Sequence, residues 1–159
     1  MLLPIQAALT SIAVCGVMIA ADWLDISPST GSVGGVALLD PPSAAVEAGF
    51  RLQLIDDRSH LRTYEGTDAG GQTLHILTRS QGDTEEIILL AVDHPYARDP
   101  QGLKVGQSLD QLLSAYPNAR RIDHLSTEDT HRYALGAVYQ ASVDSDSEII
   151  SSLLLSLGD

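Results

Sequence analysis

Hydrophobic and polar positions divide this chain at residue 22. Residues 1–21, MLLPIQAALTSIAVCGVMIAA, are apolar without periodicity, whereas from Asp22 onward short apolar runs alternate with polar turns. An unpatterned apolar stretch of about 20 residues ahead of a patterned body predicts an export signal or a single membrane anchor. The body, residues 22–159, is of single-domain size. Its most explicit element lies in the second half. Gly102–Gly106 (GLKVG) leads into Ser108-Leu-Asp-Gln111, where Ser108 caps a helix and Gln111 reaches back as a capping box. Leu109, Leu112, Leu113 and Tyr116 then recur on one helical face, and Pro117-Asn118 ends the helix. Strand-like runs follow at 119–125, 137–143 and 148–157, with the polar turn Asp144–Ser147 between the last two.

The first half reads in the same order. Gly34-Gly35 precedes Asp40 as a helix cap, with Pro41 at the first helical position and Ser43–Ala48 as one or two turns. Strand-like runs cover 50–56, 61–65, 72–79 and 85–92. Phe50 occupies the place of Tyr116, and Glu86-Ile87-Ile88 matches Glu148-Ile149-Ile150. This pattern predicts two tandem αβββ units, 34–93 and 102–157. One short helix covers too little of a sheet face to bury one unit, but two units together suffice. The expected fold is α+β, an antiparallel sheet of about six to eight strands with short helices on one face.

The stretch GLKVGQSLDQLLSAYP, residues 102–117, resembles the opening of secreted bacterial domains with the β-lactamase inhibitor protein-like fold, which includes tandem-repeat inhibitors and small outer-membrane lipoproteins. The motif is largely helix-capping chemistry, and the resemblance covers the rest of the body in element order only. It implies an exported, non-enzymatic domain working through a protein-binding sheet face.

Charge sharpens that expectation. All 9 basic and 21 acidic residues lie from Asp22 onward, for a net charge of −12. Such a surface repels phosphate backbones, so nucleic-acid binding is not expected, and it favours a protein partner with a basic patch. Contact with a membrane is expected only through the N-terminal segment or a lipid. The segment itself admits three readings: a signal cleaved after Ala20-Ala21, a lipoprotein signal with lipidation at Cys15, or an uncleaved anchor. In the cleaved reading the only cysteine leaves with the signal, and the body has neither disulfides nor thiolate metal sites.

Candidate chemistry is sparse. His60, His75, His94, His124 and His131 lack metal-ligand spacing; His75 is expected on the polar face of a strand and the others in loops. Asp144, Asp146 and Glu148 alternate as in some calcium loops but lack the glycine and the bidentate acid, which predicts a solvated hairpin turn. Ser27–Gly35 (SPSTGSVGG) reads as a flexible linker rather than a phosphate cradle. No catalytic, cofactor or metal residue is assigned. Tyr64, Tyr96, Tyr133 and Tyr139 are the candidate partner contacts. The expectation is thus a periplasmic or membrane-tethered protein-binding domain of inhibitor, immunity or envelope-assembly type. The alternatives are a small metal-dependent hydrolase built on His124, His131 and nearby carboxylates such as Asp129, and a binder of a small apolar ligand in a sheet–helix cleft.

Overall fold

The computed structural model describes residues 23–158. Residues 1–21, expected to act as an export signal or anchor, and Cys15 among them, therefore lie outside the described residues. The fold is mainly antiparallel β with two short helices. Strands β1 (Leu24–Ser27), β2 (Ser32–Val33) and β3 (Val36–Ala37) come first, then α1 (Ser43–Glu47). A meander of β4 (Arg51–Arg58), β5 (Leu61–Thr67), β6 (Thr73–Gln81) and β7 (Thr84–Val92) follows, and β8 (Ala97–Arg98) and α2 (Leu109–Ala115) lead to the second half. There β9 (Arg120–Arg121), β10 (Thr130–Ala134), β11 (Tyr139–Asp144) and β12 (Ile150–Ser156) form another meander, with a single 3-10 turn at Asp123–Leu125. The large sheet has eight strands in the order β4-β5-β6-β7-β12-β11-β10-β9, and the small one has four in the order β3-β2-β1-β8.

Alternation along the strands separates the faces of the large sheet. Leu74, Ile76 and Thr78 of β6 point inward and are fully buried, whereas His75, Leu77 and Arg79 point outward. Cross-strand pairing carries the inner face across the sheet through Leu90, Leu155 and Tyr139, and through Val92, Leu153 and Ala141. These residues pack with Leu24, Ile26, Val33 and Val36 of the small sheet, and with Ala45 of α1 and Leu112 of α2, in one core. At about 25 cal/mol per Å² this shared apolar burial is the main force holding the two sheets and both helices together.

Several expectations need correction. Ser27–Gly35 is not a flexible linker: it holds the end of β1 and β2, because Val33 pairs with Ile26 and drops into the core. Asp40 does not cap α1. Its carboxylate accepts the backbone N–H of Ala37 at 3.1 Å, and α1 starts after Pro42 without any side-chain cap. The run at 119–125 is only a two-residue strand followed by the 3-10 turn, and the loop expected at 126–136 contains β10. Leu113 faces solvent, since a helix of seven residues buries only Leu112 fully. Ser108 behaves as expected. Its Oγ accepts from the Gln111 backbone N–H at 3.2 Å, while Gln111 Oε1 accepts from the Ser108 N–H at 2.9 Å.

Candidate functional site

Of the four candidate tyrosines only one is an open surface ring. Tyr139 is 1% exposed in the core and presents nothing to a partner. Its position opposite Leu155, on the inner face, dictates that burial. Tyr133 pairs with Ala141 on the same face and is packed partly against the core. Tyr64 is half-buried. Tyr96 is exposed and meets Trp23 edge-on at 6.0 Å between centroids. Arg98 and Lys104 lie over the Trp23 ring at 5.1 and 5.5 Å, so the described chain begins in an aromatic and cationic cluster.

Two polar hubs occupy the inner side, and both collect tyrosine hydroxyls. Asp99 is 4% exposed. Its Oδ2 accepts from Tyr116 at 2.5 Å and Tyr139 at 3.0 Å, and its Oδ1 accepts the backbone N–H groups of Gln101 and Leu103, each at 2.9 Å. Burial first, then the neighbouring carboxylate, pushes both tyrosine hydroxyls far above their ordinary pKa. With every lone pair occupied, this hub tethers the strand connection and α2 to the core and has no free valence for chemistry. At the other hub, Glu85 Oε1 accepts from Thr78 at 2.6 Å and Tyr64 at 2.9 Å, while Oε2 meets Arg62 at 3.3 Å. Burial, then Glu85, raises the Tyr64 pKa.

The histidine alternative does not assemble. Arg132 and His124 line one recess on the outer face, and His131, the residue before Arg132 in β10, must point to the opposite face of the sheet. Asp129 is exposed and uses its backbone oxygen to hold Ser145. His75 meets Asp93 at 3.1 Å on the polar side of β6, and His94 meets the Thr73 carbonyl at 2.8 Å. Among the described residues no group of three or more His, Cys, Asp or Glu side chains converges as metal ligands. The Asp144–Ser147 segment is the predicted hairpin turn: Asp144 Oδ1 accepts the N–H groups of Asp146 and Ser147 and the Ser147 hydroxyl. Those bonds, led by the Ser147 backbone N–H, hold its carboxyl below the usual range.

Two surfaces stand out instead. The first is β4, an eight-residue strand that pairs with only one strand among the described residues, where Leu54 and Ile55 are 49% and 56% exposed. A register shift between Leu54 and Asp56 marks Ile55 as the bulge residue, and Leu54 pairs with Tyr64. Leu61, at the start of β5, adds a further exposed apolar side chain. The second is an outer-face recess of about 410 Å³ lined by Leu77, Ile88, Leu89, Leu125, Leu157 and Arg132, among others. The Ser126 hydroxyl donates to the Ile122 carbonyl at 2.7 Å and accepts the Arg132 N–H at 3.0 Å, which folds the 3-10 turn back over the sheet. The sequence signal for the recess was the outward apolar residues Leu77 in β6 and Leu89 in β7, with no cue that a turn would roof them. The sheet–helix side expected for an apolar ligand is filled by core side chains.

No helix among the described residues is long and apolar enough to cross a membrane. No family model matches the chain, and no curated protein matches it. Among solved structures, that of the uncharacterized protein yfeY from Escherichia coli is similar, with a TM-score of 0.52 over 83% of this chain and 99% of that chain at 14% identity. At that identity the likeness is one of fold alone.

Proposed function

We propose that this protein is an exported, non-enzymatic domain that binds another protein, through the free edge β4. The observation that carries the reading is the exposed Leu54–Ile55 pair on an edge strand with one row of backbone N–H and C=O groups unpaired by any described strand. Soluble proteins usually blunt such an edge, because it templates strand addition. Here Asp56, Asp57 and Arg58 blunt its second half, while the first half carries one charge, at Arg51. An extended partner segment would pair with the first half, place apolar side chains on Leu54 and Ile55, and bring basic residues toward Asp56 and Asp57. The net charge of −12 favours the same partner charge.

Export, periplasmic or membrane-tethered, rests on the uncharged residues 1–21. Support comes from the Trp23, Tyr96, Arg98 and Lys104 cluster at the start of the described chain, since aromatic and basic side chains suit a membrane interface. The tandem-unit reading belongs to the same proposal. The sheet order mirrors itself about the β7–β12 pair. The segment before each helix also makes a like exchange with a central strand, one residue off the register of the sequence match: Ile87 N–H donates to Asp40 O and Leu39 N–H to Ile87 O, while Ile150, not Ile149, donates its N–H to Gln107 O and accepts from Gly106 N–H. Leu39 and Gly106 both have positive φ, 73° and 96°. The β-lactamase inhibitor protein-like resemblance of 102–117 agrees with a binding role for such a sheet.

A pull-down from envelope extract tests the reading with the full chain and with Leu54→Asp/Ile55→Asp. The expected result is a partner retained by the native protein and lost by a variant that melts at the same temperature. Failure to retain any protein, or equal retention by both, would overturn it. Mass spectrometry of protein from its native envelope tests export: a chain starting near Asp22 or lipidated at Cys15 is expected for cleavage, and an intact Met1 chain in the cytoplasmic fraction would sink the localisation.

A further inference from the structure

We infer that the outer-face recess is a binding site for a single-chain anionic amphiphile, with its apolar tail on Leu77, Leu89, Leu125 and Leu157 and its anionic head on Arg132. This site is separate from the β4 edge and does not depend on the protein-binding reading. Its volume, about 410 Å³, lies within the range of small-ligand sites, roughly 300–1,000 Å³. Its walls come from distant parts of the chain. Leu77 and Leu89 are directly paired across β6 and β7, Ile88 is the bulge residue beside them, and Leu125 closes over from the 3-10 turn.

The polar group in this apolar setting is unusual. Arg132 makes one side-chain hydrogen bond among the described residues, from Nη1 to the neutral Gln140 Oε1 at 3.0 Å. Its Nε is buried without a partner, and no carboxylate of the described residues lies within ion-pair distance. Nearby Arg79 differs, since its guanidinium is already matched by Glu86 at 2.6 Å. Burial also holds the Arg132 pKa below the usual guanidinium value. A partly desolvated guanidinium with no carboxylate partner among the described residues is costly. An anion seated at the head of the recess supplies the missing counter-charge, and guanidinium donors suit carboxylate and phosphate oxygens alike.

The overall acidity sets a limit on the ligand. A net charge of −12 repels anions at long range, but salt screens it over about 8–10 Å, so contact chemistry decides within the recess. A single charge on a large apolar body suits both constraints. A small, highly charged anion suits neither.

Titration calorimetry on the full chain, below micelle concentrations, tests the inference with dodecanoate, dodecyl phosphate, dodecanol and inorganic phosphate. The expected result is one-to-one binding of dodecanoate or dodecyl phosphate, with dodecanol weaker by about tenfold or more, as loss of a charge-assisted hydrogen bond implies, and no heat from inorganic phosphate. The stronger of the two anions identifies the head group. Arg132→Met keeps the aliphatic stem and removes the charge, so it should bring the anions down to the dodecanol level. Leu125→Trp, at an exposed position, should fill the recess and weaken all three chains while leaving the fold intact. Equal binding of dodecanol and dodecanoate by the native protein, no binding of either anion, or unchanged binding by Leu125→Trp would overturn the site.

Discussion

The two ends of the large sheet face the same problem, a terminal strand with unpaired backbone, and meet it differently. At one end β4 runs eight residues in the open with Leu54 and Ile55 exposed; at the other, β9 is two residues long and the chain folds back as a 3-10 turn. A short, wrapped edge resists strand addition, whereas a long bare one invites it. The half behind each edge differs as well. The β9 half is organised around buried Asp99 and the capped helix α2, while the β4 half has the rim carboxylate Glu85 and a five-residue helix with no side-chain cap. The β9 end is short and wrapped, and the β4 end leaves a surface available.

The largest effect should come from Asp99→Ala. It strands the Tyr116 and Tyr139 hydroxyls and two backbone N–H groups, so urea unfolding should show a loss of about 3–5 kcal/mol. The same hub sets alkaline stability. Both tyrosines have folded-state pKa values raised above 10.0, so their contribution is fully present below pH 10 and is lost as pH climbs toward the folded values. Alkaline melts of native protein should therefore decline above about pH 10, and Tyr139→Phe should flatten that decline. Glu85→Ala should cost less, about 1–2 kcal/mol, because its hub is half-exposed and water replaces part of what is lost. Equal losses at Asp99 and Glu85 would break the contrast between the halves.

Helix capping sharpens it further. Ser108→Ala should cost about 1 kcal/mol, while Ser43→Ala at the uncapped helix should stay within about 0.5 kcal/mol in the same denaturation assay. The smallest stability effect belongs to Leu54→Asp/Ile55→Asp, within about 0.5 kcal/mol, since both side chains already meet water. A large loss there would mean that the edge is a structural seam rather than a free surface.

Local chemistry was legible where it is satisfied locally. The capping box needs only Ser108 and Gln111, four positions of chain, and its hydrogen bonds form as the spacing requires. Strand β6 was readable from the alternation of Leu74, Ile76 and their neighbours, since one face of it is buried. β10 was not, because His131, Arg132 and Tyr133 are all only half-buried and leave no clean alternation. The linker expected at Ser27–Gly35 failed for a related reason: its glycines and serines read as flexible, but Val33 and Val36 find the core only once both sheets exist.

What the sequence determined by itself is therefore the mainly antiparallel sheet with short helices, the cap of α2, the turn at Asp144 and the acidic surface, all set by spacing and charge within a few residues. Tertiary structure alone decided that Tyr139 is buried, that Asp99 is a hub, that His124 and His131 face opposite sides, that β4 stands at the edge, and that Arg132 sits beneath an apolar recess. Each of these depends on strand order and on which face a turn folds over. Such relations join residues far apart in the chain, and hydrophobic periodicity records whether a side chain is buried without recording beside what.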